Sequence, residues 1–109
     1  MSHLLAGRRR MILSRGRMMT LRREGTPPLS VDLIGFLRGF RPDEIKGGVV
    51  QGDQQVEILT DELEDAGWPD APERPDRLMF DGTTTTVQGA RPVYDGALRI
   101  GWSLWVRGS

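Results

Sequence analysis

The stretch Arg77-Leu-Met-Phe-Asp-Gly-Thr-Thr-Thr-Thr-Val-Gln-Gly89 sets an Asp-Gly pair between two β-prone runs. Asp-Gly in that setting is a strong signal for a two-residue type I′ hairpin loop. Such a loop fixes the pairing, with Phe80 opposite Thr83, Met79 opposite Thr84 and Leu78 opposite Thr85. Directly paired residues share a face of the sheet. Thr83, Thr85 and Val87 are therefore expected with Leu78 and Phe80, and Thr84 and Thr86 with Met79 and Arg77, at solvent or against a neighbouring subunit. Four hydroxyls dealt alternately to two faces cannot converge on one substrate atom, so the threonines read as strand formers.

Working outward, a second turn at Asp95-Gly96 feeds Ala97 to Arg107. There Leu98, Ile100, Trp102, Leu104 and Val106 alternate with Arg99, Gly101, Ser103, Trp105 and Arg107, the period of a strand. Upstream, Arg17 to Arg23 and Leu29 to Phe40 also alternate, with Gly35 and Gly39 marking bends or bulges. Asp53 to Leu59 is strand-like through Val56 and Ile58. Thr60 reads as the N-cap of a two-turn acidic helix over Asp61 to Ala66, with Gly67 in the left-handed position that ends it. Three prolines between Trp68 and Asp76 exclude regular structure there and predict a stiff connection. These elements predict a mainly β domain: a small antiparallel barrel with one short helix, a long loop and an N-terminal arm.

At 109 residues the chain has the length of one domain. We divide it into an arm over residues 1–16 and a barrel domain over 17–109, with a long loop at 41–52 and an acidic, proline-rich insertion at 60–76. Hydrophobic residues are 38% and charged residues 28% of the chain, a balance that folds. With no cysteine, disulfides and thiolate metal sites are excluded. No apolar run approaches the roughly 20 residues of a membrane-spanning helix, and the basic residues follow the short apolar start, the reverse of a secretory signal. We expect synthesis in the cytoplasm and no membrane partner.

The formal net charge is zero, yet the charges are segregated along the chain. Residues 1–23 hold seven arginines and no acid, whereas residues 53–81 hold ten carboxylates against Arg74 and Arg77. Arg8, Arg9, Arg10, Arg15 and Arg17 are candidate contacts for phosphates or for an acidic protein surface. Asp61, Glu62, Glu64 and Asp65 are the natural counterpart, and on separate copies the two blocks make a head-to-tail contact of the kind that closes rings.

Chemistry has few footholds. His3 is the one histidine and has no ligand-type neighbours in sequence, which leaves no triad or histidine metal site. The Asp61 to Asp65 run lacks the loop spacing of a calcium hand. Lys46-Gly-Gly-Val-Val-Gln-Gly52 is glycine-rich but has neither a phosphate-loop ending nor a dinucleotide fingerprint, so we take Lys46, Gly47, Gly48, Val49, Val50, Gln51 and Gly52 as a loop that reaches a partner. No catalytic residue, cofactor or metal is expected.

The order of parts resembles a known family. Met19-Thr-Leu-Arg-Arg23, Leu33-Ile-Gly-Phe-Leu37, a glycine-bearing loop, Asp76-Arg-Leu-Met-Phe-Asp-Gly-Thr-Thr84 leading into Thr86-Val-Gln-Gly-Ala90, and the terminal Trp102-Ser-Leu-Trp-Val-Arg107 are similar to the head-tail joining proteins of tailed bacteriophages and prophages. Those are the stopper or head-completion subunits of the connector. The likeness spans residues 17 to 107, and its most specific part is the Asp-Arg lead-in to Asp-Gly-Thr. It implies a non-enzymatic virion protein with a barrel the size of SH3 or OB modules. It further implies a ring, sixfold ahead of twelvefold, assembled in the host cytoplasm. Its neighbours would be portal and adaptor proteins on the head side, tail terminator or tube proteins on the tail side, and packaged DNA in the channel, with the loop at 46–52 as the channel loop. The alternative is a small barrel that binds nucleic acid through its Arg-rich N-terminus. Against it, the aromatic residues are not interleaved with those arginines in sequence as a stacking platform requires.

Overall fold

The computed structural model describes residues 3–39, 52–69 and 71–108. A helix α1 (His3–Arg15) precedes strands β1 (Arg17–Arg23), β2 (Leu29–Gly39) and β3 (Gln54–Leu59). A short helix α2 (Thr60–Asp65) leads to strands β4 (Arg77–Phe80), β5 (Thr83–Asp95) and β6 (Leu98–Gly108). The six strands close into one antiparallel barrel in the order β1-β2-β3-β6-β5-β4. Two three-stranded meanders are thus joined at both seams, β3 to β6 and β4 to β1, and the connection through α2 carries the chain from one meander to the other. Closure is what removes sheet edges in a domain this small.

The hairpin over 77–86 has the pairing that its loop demands: Phe80↔Thr83, Met79↔Thr84, Leu78↔Thr85 and Arg77↔Thr86. Asp81 and Gly82 both sit at positive φ, 52° and 73°, as a type I′ turn requires. Thr85 is buried and its hydroxyl donates to the Leu78 carbonyl at 2.8 Å. The second turn differs by one residue from the expected one. Asp95 pairs with Leu98, so Gly96-Ala97 forms the loop, with Gly96 at φ 62° where a type II′ turn takes its glycine.

Inside the barrel, Met19, Leu21, Val31, Leu33, Val56, Ile58, Leu78, Val87, Leu104 and Val106 form the core, with Trp102 and Phe80 toward its margins. They are the alternate residues of each strand, which is why the period-two pattern was readable in sequence. Gly35 marks a change of partner in β2, which pairs with β1 as far as Gly35 and with β3 from Phe36 onward.

The strands define two differently furnished ends. At one lie Gly39 and Gln54, the ends of β2 and β3, together with the Asp81-Gly82 turn and the end of β6. At the other lie α2, the proline-rich segment, the β1–β2 turn and the tip of the β5–β6 hairpin. Residues 88–95 of β5 extend beyond its pairing with β4 and are held by β6.

Residues 1–16, expected as an arm, contain a helix seated on the outside of β2 and β3. Ile12 is fully buried there, outside the barrel core. In its last two turns Arg10, Leu13, Ser14 and Arg15 are exposed around Ile12, and the apolar residues of the segment follow no clean 3.6-residue period. Gly16 closes the helix, its N–H donating to the Ile12 carbonyl at 2.7 Å. A β-carbon on Gly16 would stand 2.4 Å from the Ile12 carbonyl oxygen and 2.7 Å from that of Gly35. Backbone cannot give way as a side chain can, so Gly16→Ala is expected to destabilise by about 1–3 kcal/mol. Gly7→Ala, in open space on the same helix, is expected to stabilise by up to about 1 kcal/mol. Urea midpoints of the two variants should move in opposite directions.

Candidate interaction surface

The charged segments are first engaged within the chain. Arg9 of α1 forms an ion pair with Asp61 of α2, and Arg17 at the start of β1 pairs with Asp81 in the hairpin turn. Glu62 reaches β2, where its Oε2 accepts the Ile34 N–H at 3.1 Å. That N–H lies two residues beyond the last β2–β3 pair, Phe36↔Glu57, and meets no strand on that side. Glu62 therefore takes the place of an absent strand, and of the acids assigned to a partner surface it is the one tied to the barrel. Burial raises its pKa above the ordinary glutamate value, opposed by the Ile34 hydrogen bond and by the charge of Arg9.

Thr60 is not the cap of α2. Leu59 holds the cap position with no side-chain bond, and the Thr60 hydroxyl is buried without a partner. The other end follows the sequence closely. Gly67, at φ 79°, donates to the Glu64 carbonyl at 3.0 Å, and Trp68 donates to that of Leu63 at 2.9 Å, the two bonds of a Schellman motif. Leu63 and Trp68 are both buried in the barrel core cluster, as the apolar contact of that motif requires.

The proline-rich segment is fastened by a pair that the sequence did not reveal. Asp76 is 2% exposed and accepts from Arg23 Nε and Nη2, each at 2.8 Å. Its Oδ2 also accepts the Glu73 N–H at 2.8 Å, and its carbonyl accepts the Val87 N–H at 2.7 Å. Arg23 also donates to the Ala71 carbonyl and stacks over Trp68, 4.9 Å from the ring centre. The hydrogen bond to Asp76 holds the Arg23 pKa above its ordinary value, and burial opposes it. At the opposite end, buried Asp53 accepts from Arg107 Nε at 2.9 Å and from the Trp105 indole at 2.8 Å, tying the approach to β3 to β6. The only hint of either site in the sequence is an acid at the border of a turn segment and a strand, a placement shared with many surface acids.

Of the nine candidate contact residues, Arg9 and Asp61 meet each other, Arg17 meets Asp81 and Glu62 meets the barrel. Arg8 lies in α1. Arg10 and Arg15 are exposed on α1, and Glu64 and Asp65 are exposed on α2. Lys46 to Gln51 lie outside the described residues, and Gly52 is exposed at φ 95°. Among the described residues, no cluster of three acids or histidines is placed to hold a metal ion, and no helix is long and apolar enough to cross a membrane.

No protein-family model matches the chain, and no curated protein matches it in sequence.

Two stability outcomes follow. Asp76→Asn puts an amide N–H₂ where Arg23 requires an acceptor, and is expected to cost roughly 3 kcal/mol in urea unfolding, as loss of a buried pair does. For Glu62, the folded carboxyl holds its proton to a higher pH than the unfolded one. Stability must then fall as pH rises from the ordinary glutamate value through the raised one. Glu62→Gln should flatten that slope while still accepting the Ile34 N–H. Glu62→Ala, which orphans that N–H, should cost about 1–3 kcal/mol at neutral pH.

Proposed function

We propose that the chain is a structural subunit of the head-tail connector of a tailed phage or prophage, a stopper or head-completion ring that closes the DNA channel and receives the tail. The observation that carries this is a closed barrel with two dissimilar ends. A closed sheet offers no free edge for stacking, so contacts to rings above and below fall to what the ends carry. One end has Gly39 and Gln54, the ends of β2 and β3; the other has α2, the fastened proline segment and the β5–β6 hairpin tip, where Tyr94 and Leu98 are 52% and 53% exposed. The arrangement suits a body that stands in a ring with portal or adaptor proteins on one side, tail proteins on the other and DNA in the channel. The work of such a subunit is positional, and no bond is made or broken.

Native mass spectrometry and negative-stain imaging of the concentrated protein test the proposal, with closed rings as the expected outcome, sixfold ahead of twelvefold. A monomer that gains mass only when DNA or RNA is added would overturn it in favour of a nucleic-acid module.

A further inference from the structure

We infer that the outer face of α1 is one half of a contact between copies of this chain, the other half being the acidic end of α2 on the next copy. This rests on the ring assembly proposed above and names its subunit contact. Within the chain, Arg9, Arg17, Arg22, Arg23, Arg38 and Arg107 are each paired with an acid. Arg10 and Arg15 are not, among the described residues, and both are exposed on α1. Arg10 follows Arg9 but stands about 100° round the helix from it, so it cannot share the ion pair with Asp61. Between the two on the helix surface lie Met11, part-buried, and Ser14, exposed, and with Gly7 these residues line one shallow open surface. The face is therefore basic at its rim and apolar in part, the composition of a protein contact more than of a solvated surface.

The complement is on α2. Asp61 and Glu62 are occupied, but Glu64 and Asp65 are exposed and have no basic partner among the described residues. They stand in the last turn, the negative end of the helix, and no basic residue shares that turn. Acids there are disfavoured until a cation arrives from outside. The basic helix α1 is already docked through Arg9, and its Arg10 and Arg15 are exposed. Among the described residues Arg74, Arg77 and Arg91 are exposed without an acid as well, but on α1 and α2 the exposed charges form two compact sets of opposite sign, which a second copy matches.

Charge reversal tests the contact in the full chain. Sedimentation velocity should show the wild type assembled, and both Arg10→Glu/Arg15→Glu and Glu64→Lys/Asp65→Lys shifted toward monomer, with association weakened roughly tenfold or more. An equimolar mixture of the two should reassemble, because each reversed face then meets an opposite one. If either variant loses its far-UV circular dichroism, Arg10→Gln/Arg15→Gln and Glu64→Gln/Asp65→Asn should show the weakening without reversal. Assembly unchanged in the variants, or a mixture that stays dissociated, overturns this contact and leaves the ring standing. A wild type that is monomeric at every concentration overturns the ring as well.

Discussion

Asp76 is a carboxylate almost withdrawn from water, and a charge so placed has to be met on every side. Arg23 meets both oxygens, the Glu73 N–H meets one of them again, and Trp68 covers the guanidinium from above. The segments involved are the end of β1, the segment after α2 and the approach to β4. They are the three places where the first meander must be tied to the second. Closing the barrel brings β4 beside β1, and the buried pair fixes how the crossing chain lies over that seam. The proline-rich run supplies stiffness but no hydrogen-bond donors at its prolines, so the side chain of Asp76 does the fastening that backbone pairing does elsewhere.

The same constraint explains the disposition of charge. A chain basic at one end and acidic in the middle would be expected to attract itself, and in part it does. Arg9–Asp61, Arg17–Asp81 and Arg23–Asp76 are all long-range pairs that connect the N-terminal block to the acidic block. The first two are partly exposed and contribute little individually to stability, whereas the third is buried and is the one whose loss is expensive. Arg10 and Arg15 on α1 and Glu64 and Asp65 on α2 are among the charges left without an ion pair in the described residues. The buried pair holds the fold, and the exposed charges are left at the surface.

How far residue pattern reached depended on which force set each element. The period-two alternation of β6 and the Asp81-Gly82 turn were legible because side-chain direction in a strand and positive φ in a turn are local properties. Gly67 was legible for the same reason. Thr60 misled because a threonine before acids is a good cap in isolation, while the end of β3 draws it into the interior and leaves Leu59 at the cap position. The segment before β1 reads in sequence as an arm that turns helical on contact, and the contact that Ile12 makes is with the outer wall of β2 and β3.

By itself, then, the sequence determined the strand periods, the turn at 81–82, the end of α2 and the segregation of charge, all of which depend on residues within a few positions of one another. The tertiary structure alone decided that β4 pairs with β1 and β3 with β6, that Asp76 and Asp53 are buried acids, and that Glu62 serves a strand. Those contacts join residues 28 to 59 positions apart, and no local preference encodes which distant partner a residue will meet once the barrel closes.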